Sequence, residues 1–137
     1  MTADEAISAA RECLGTPFHH QGRIKGIALD CAGLIVSVAH DLGLEYIDQQ
    51  GYGRDPYKDL LRTALNEQPC LTVVPLDQMQ AGDVLLMRFG REPQHLAIYT
   101  GSGIIHSFET VGIVCEHDLT EVWRRRILAV YRFKESV

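Results

Sequence analysis

Leu29-Asp30-Cys31-Ala32-Gly33-Leu34-Ile35-Val36 sets a cysteine at the start of an apolar helix, directly behind an aspartate of capping type. With Asp30 as N-cap, the helix runs to about Leu42, carries Leu34, Ile35, Val38 and Leu42 on its apolar side, and stops at Gly43. It is the best candidate in the chain for a buried helix. A helix N-terminus also offers unpaired N–H groups and a partial positive charge, which favour a thiolate at Cys31, and the thiolate is a strong nucleophile. A charged Asp30 acts the other way, so a stable ion pair at Cys31 needs an imidazolium partner.

Outward from this stretch, toward the N-terminus, lies a loop rich in His, Gly and Arg, Phe18 to Leu29. Before it, Thr2-x-x-Glu5 reads as a capping box for a helix over about residues 3–14, closed by Gly15 and stopped by Pro17. Toward the C-terminus, residues 44–55 read as loop, Pro56 to Asn66 as a third helix and Leu71 to Val74 as a short strand. Gly82-Asp83 marks entry to a strand, Val84 to Phe89. The rest is mostly β: His95–Thr100, Ile104–Phe108, roughly Gly112–Glu116 and Leu128–Phe133, with a short helix capped at Asp118-x-x-Glu121 between the last two. Helices first and an antiparallel sheet afterwards make an α+β pattern.

A chain of 137 residues accommodates one domain with a real core, so a single domain over 1–137 is expected. With 46% hydrophobic and 23% charged residues it has the composition of a folded globular protein. The net charge of −5 speaks against nucleic-acid binding, and Arg124-Arg125-Arg126 reads as a solvated element end rather than a basic patch. Cys13, Cys31, Cys70 and Cys115 form no C-x-x-C pair, so no metal or cofactor is expected, and three of them read as small buried hydrophobes. Met1 to Glu5 contain no basic n-region, which implies cytoplasmic synthesis without a signal peptide. The apolar runs are too short for membrane insertion.

The hairpin around Thr100-Gly101-Ser102-Gly103 fixes a register. A two-residue turn at Gly101-Ser102 pairs Thr100 with Gly103, hence Ala97 with His106 and His95 with Phe108. His95 and His106 then share a face as diagonal neighbours, their β-carbons about 7–8 Å apart or somewhat less. A three-residue loop would send one of them to the opposite face. Cys31 as nucleophile, His95 as base and His106 as the group fixing the tautomer of His95 fill the roles of a cysteine-hydrolase triad. Acyl transfer is the natural reaction, with the backbone N–H of Cys31 placed to donate to the developing oxyanion.

Asp30-Cys31-Ala32-Gly33-Leu34, Gly82-Asp83-Val84, His95-Leu96-Ala97-Ile98-Tyr99-Thr100-Gly101 and Ile104-Ile105-His106-Ser107 resemble the successive signatures of the NlpC/P60 cysteine peptidases. Pro17-Phe18-His19-His20-Gln21-Gly22-Arg23 particularly resembles the branch found with phage and prophage tail genes. The resemblance implies a papain-like fold and a peptidoglycan stem peptide as substrate. It further implies cleavage between γ-D-glutamyl and a diamino acid such as diaminopimelate, a triad of Cys31, His95 and His106, and tail proteins as partners. A virion tail or release to the cell wall is the implied site of action.

Two positions depart from the family pattern. Phe18 stands where many relatives have a tyrosine near the reacting centre, and Ala32 follows the cysteine where relatives have serine. Phe cannot donate a hydrogen bond, so His19, His20 or Gln21 are candidates to stand in. Asp30 reads first as a helix cap and, by the resemblance, also as a contact for the substrate's free amine. His40 and His117 read as surface or structural positions, Gln94 as a strand end, and Trp123 with Tyr131 and Phe133 as packing for the last helix. Rival functions are a cell-wall amidase or related thiol hydrolase with the same triad, and a tail component that binds the wall without cutting it.

Overall fold

The computed structural model describes residues 2–48 and 60–135. The side-chain cap read at Thr2, most of the loop read over 44–55 and the helix start read at Pro56 fall outside what it describes. Helix α1 spans Thr2–Arg11, α2 Cys31–Asp41 and α3 Leu60–Asn66, and a last turn, α4, spans Glu121–Arg124. A two-stranded hairpin, β1 (Arg23–Ile24) and β2 (Ala28–Leu29), precedes α2. The remaining strands are β3 (Leu71–Val74), β4 (Val84–Phe89), β5 (Glu92–Tyr99), β6 (Gly103–Phe108), β7 (Ile113–Asp118) and β8 (Ile127–Phe133). They form one antiparallel sheet in the order β3-β8-β4-β5-β6-β7.

Alternation along the strands divides the core into two. Leu86, Leu96, Ile98 and Ile105 join Ala6 and Ala10 of α1 and Leu34 and Val38 of α2 on one side. Leu85, Met87, Ala97 and Ile104 pack on the other, beneath Trp123. The α+β expectation of N-terminal helices against an antiparallel sheet is therefore met. The hairpin register is also the expected one: Ile98 pairs with Ile105 and Tyr99 with Ile104. The Thr100 N–H bonds the Gly103 carbonyl at 2.9 Å across the turn.

Three local expectations are corrected. Helix α1 ends at Arg11 rather than near residue 14, because Cys13, Leu14 and Thr16 tighten into bonds to the third residue back, and Gly15 then bonds the Val114 carbonyl of β7. The loop from Phe18 to Leu29 contains the β1–β2 hairpin. Asp118 does not cap a helix: β7 continues through it, opposite Gly103, and α4 begins after Thr120, whose side chain makes no capping bond.

The start of α2 is held from several directions. Asp30 Oδ1 accepts the Gly33 N–H at 2.7 Å, as a capping residue should. Ser107 of β6 donates its hydroxyl to the Leu29 carbonyl at 2.6 Å, and the Leu29 N–H bonds the Pro17 carbonyl at 3.0 Å. Position 33 must be glycine on steric grounds, since a β-carbon there would overlap the carbonyl oxygen of Gly22. The residues around Cys31 thus tie the N-terminal loop to the sheet.

Candidate active site

A cleft of about 650 Å³ opens between α2 and the sheet. Cys31 at the first turn of α2 and His95 of β5 both line it, together with Phe18, His20, Asp30 and Arg126. His19 and Gln21 are not among its lining residues. Gln21 instead gives its backbone N–H to Asp30 Oδ2 at 2.8 Å, adopting a φ of 62° to do so. Asp30 is buried, and beside its capping bond it accepts from Arg23 Nη1 at 2.9 Å, while Arg23 Nε pairs with Asp48 at 2.9 Å.

The histidine pair read from the hairpin is in direct contact. His95 Nε2 and His106 Nδ1 lie 2.6 Å apart, both residues being buried. A third ring continues the line, with His106 Nε2 2.8 Å from His117 Nε2, and His117 Nδ1 2.9 Å from the Asp118 carbonyl. The carbonyl can only accept, so it fixes every proton in the row. His117 carries its proton on Nδ1 and accepts at Nε2 from His106, and His106 accepts at Nδ1 from His95 Nε2–H. The remaining nitrogen, Nδ1 of His95, is left with a lone pair.

The sequence reads His117 as a surface or structural position, not as a member of the histidine row. Its place in the row follows from β7 running past Glu116, which puts residue 117 on the same face as Cys115, the register partner of His106. The alternation Cys115-Glu116-His117, which puts two ligand-type side chains on one strand face, carries the signal, and the cap-like Asp118-x-x-Glu121 pattern masks it. Trp123 packs on the row, 5.0 Å from the ring of His106 and 5.3 Å from that of His117. Arg126, read as part of a solvated run, lies over Trp123 at 4.5 Å.

The electrostatics differ from the thiolate expected at a helix end. Burial, and next the charge of Asp30, push the Cys31 thiol up to about 12, against the opposing pull of the Leu96 and Ala32 N–H groups and Arg23. Burial, aided by His106 and Arg126, holds the His95 imidazole well below its ordinary value. Burial, with His117 adding to it, brings His106 down to about 3. Both shifts favour the neutral thiol and the neutral imidazole over the ion pair. The loss of hydration at an enclosed sulfur outweighs the helix end.

Among the described residues, His106, Cys115 and His117 also offer ligand atoms within 4.8 Å of one another, the one cluster of metal-ligating type.

Residues 15–132 match the NlpC/P60 family. The chain is 29% identical over 136 residues to the Bacillus subtilis γ-D-glutamyl-L-lysine dipeptidyl-peptidase, spanning 96% of itself and 41% of that protein. It is 32% identical over 112 residues to the tail tip assembly protein K of Escherichia phage lambda, spanning 77% of itself and 54% of that protein. The chain thus covers about half the length, or less, of these curated relatives. Among solved structures, the peptidoglycan hydrolase RipB of Mycobacterium tuberculosis superposes with a TM-score of 0.71 at 17% identity, over 98% of this chain and 66% of that one. An NlpC/P60 family protein of Bacillus cereus does so at 0.70 and 20%, over 96% of this chain and 40% of that one. The fold is the papain-like one of these proteins.

Proposed function

The chain belongs to the NlpC/P60 family, and from that premise we propose that it is a cysteine endopeptidase cutting peptidoglycan stem peptides between γ-D-glutamyl and a diamino acid. The observation that carries this reading is the bond from His95 Nε2 to His106 Nδ1 at 2.6 Å, in a cleft that Cys31 also lines. It leaves Nδ1 of His95 as a base for the thiol. Support for the substrate comes from the Bacillus subtilis relative, whose name specifies a γ-D-glutamyl bond.

In this mechanism the Cys31 proton passes to His95 Nδ1 as the sulfur attacks the γ-glutamyl carbonyl carbon. Since both shifts favour the neutral pair, His95 has to take the thiol proton in the course of the attack. The carbonyl oxygen becomes an oxyanion, for which the backbone N–H of Cys31 at the head of α2 is the natural donor. Collapse breaks the C–N bond, and the departing amine takes the proton held on His95. Water, deprotonated by the same nitrogen, then releases the acyl group and restores the thiol. His106 keeps the His95 ring turned and protonated on Nε2 throughout. Asp30 is committed to the helix cap and to Arg23, and its place on the cleft wall lets its charge also attract the substrate's free amine.

Similarity to a tail tip assembly protein makes a phage tail the proposed setting for this activity. The test is digestion of defined muropeptides with product masses read directly, beside a Cys31→Ala control. A new free amine on the diamino acid is the expected product. Release of the whole stem peptide from its sugar would identify an amidase, and intact muropeptide would leave a wall-binding role.

A further inference from the structure

We propose that His106, Cys115 and His117 form a binding site for a zinc-like divalent cation, and that filling it switches His95 off as a base. The site itself stands on geometry alone. Its effect on catalysis rests on the function proposed above.

Cys115 is the register partner of His106 across β6 and β7, and His117 follows two residues along on the same face. One atom from each residue, two imidazole nitrogens and a sulfur, falls within 4.8 Å of the others. A thiolate with two imidazoles is a borderline-soft set of the kind that zinc takes, with water in the fourth position. Bond lengths of about 2.0–2.3 Å put tetrahedral ligand atoms about 3.3–3.8 Å apart. The two Nε2 atoms, now 2.8 Å apart, must therefore spread slightly and the sulfur close in, both by rotations of side chains.

Two further features are those of a prepared site. Cys115 is a free thiol, and both it and His117 are half-buried, giving a cation a way in from the edge strand. His117 already donates its other ring nitrogen to a backbone carbonyl, at 2.9 Å. That bond turns the Nε2 lone pair inward, as the outer partner of a metal-bound histidine does.

Occupation has a definite consequence for the row of rings. A cation on His106 Nε2 takes the lone pair of that atom, so the His106 proton must sit on Nδ1. Nδ1–H then donates to His95 Nε2, which becomes the acceptor, and the His95 proton moves to Nδ1. Each ring keeps one proton, and the only proton released is that of the Cys115 thiol. The nitrogen meant to receive the Cys31 proton is then already protonated.

The test uses Co²⁺ and Zn²⁺ on the full chain. In a Cys31→Ser background, which removes the cleft thiol, Co²⁺ titration is expected to give a near-ultraviolet thiolate-to-cobalt band. Adding Cys115→Ser or Cys115→Ala is expected to abolish it. In enzyme with Cys31 intact, Zn²⁺ should inhibit muropeptide hydrolysis reversibly by chelator, and Cys115→Ala should need at least about tenfold more Zn²⁺ for half-inhibition relative to its own metal-free rate, about 1.4 kcal/mol of binding. A cobalt band indifferent to Cys115, or equal zinc sensitivity in the Cys115 variants, overturns the proposal. Absence of hydrolysis without metal would count against the endopeptidase reading instead, since the cobalt band reports the site independently.

Discussion

At the scale of single residues, the chemistry turns on where three ring protons sit. A backbone carbonyl at Asp118 fixes the first, and the 2.8 and 2.6 Å contacts pass that choice to His95. Cys31→Ser or His95→Ala should abolish turnover while leaving the thermal unfolding midpoint nearly unchanged, and His106→Ala should keep partial activity. His117→Ala should lower kcat by about tenfold, about 1.4 kcal/mol, with KM unchanged, and His117→Gln, still able to accept from His106, should restore most of it. Steady-state kinetics on a muropeptide check all five variants. The thiol gives a prediction in pH. With Cys31 raised to about 12 by burial and Asp30, its thiolate population grows only in the alkaline range, so iodoacetamide labelling of free enzyme should climb steadily above pH 9. A plateau reached below pH 7 would indicate a preformed ion pair. The place of Cys31 at the head of α2 was legible in the sequence because a cap and an apolar periodicity are local signals. Its protonation state was not, because enclosure of a sulfur depends on residues distant in the chain.

At the scale of elements, the site exists because α2 is clamped where it begins. Gly33 lets the Gly22 carbonyl lie against the helix, and a β-carbon there would meet backbone rather than a movable side chain. Gly33→Ala should cost about 3 kcal/mol as an overpacked core position, lowering the unfolding midpoint by about 10 °C in a chain of this size. A change below about 2 °C would show that the loop yields freely. The β5–β6 hairpin was readable because a two-residue turn dictates register, and Ile98–Ile105 and Tyr99–Ile104 pair accordingly. The end of β7 was not readable: Asp118-x-x-Glu121 mimics a helix cap, and only the pairing of Asp118 with Gly103 across the ladder decides for strand. That one ambiguity hid His117.

At the scale of the whole molecule, the helices and the six-stranded sheet enclose neutral imidazoles in a core that water would otherwise keep protonatable. Unfolded, these rings bind protons below about pH 6.5, whereas His106 in the fold stays neutral down to about 3. Its contribution to stability is complete above pH 6.5 and is lost progressively as pH falls toward 3. Unfolding midpoints recorded from pH 7.5 to 4 should hold level to about pH 6.5 and fall below it, less steeply in His106→Asn, whereas equal slopes would contradict the burial assigned to this ring. The insertion of β8 between β3 and β4 is the feature least accessible to sequence, since pairing between distant strands leaves no local pattern. The most direct measurement of all is the intact mass of the enzyme, acid-quenched within one turnover of a stem peptide. An added mass equal to the acyl half of the substrate, mapped to Cys31 and missing in His95→Ala, is the predicted result. Turnover with no adduct on Cys31, or an adduct formed equally well without His95, would contradict a thiol peptidase driven by this histidine row.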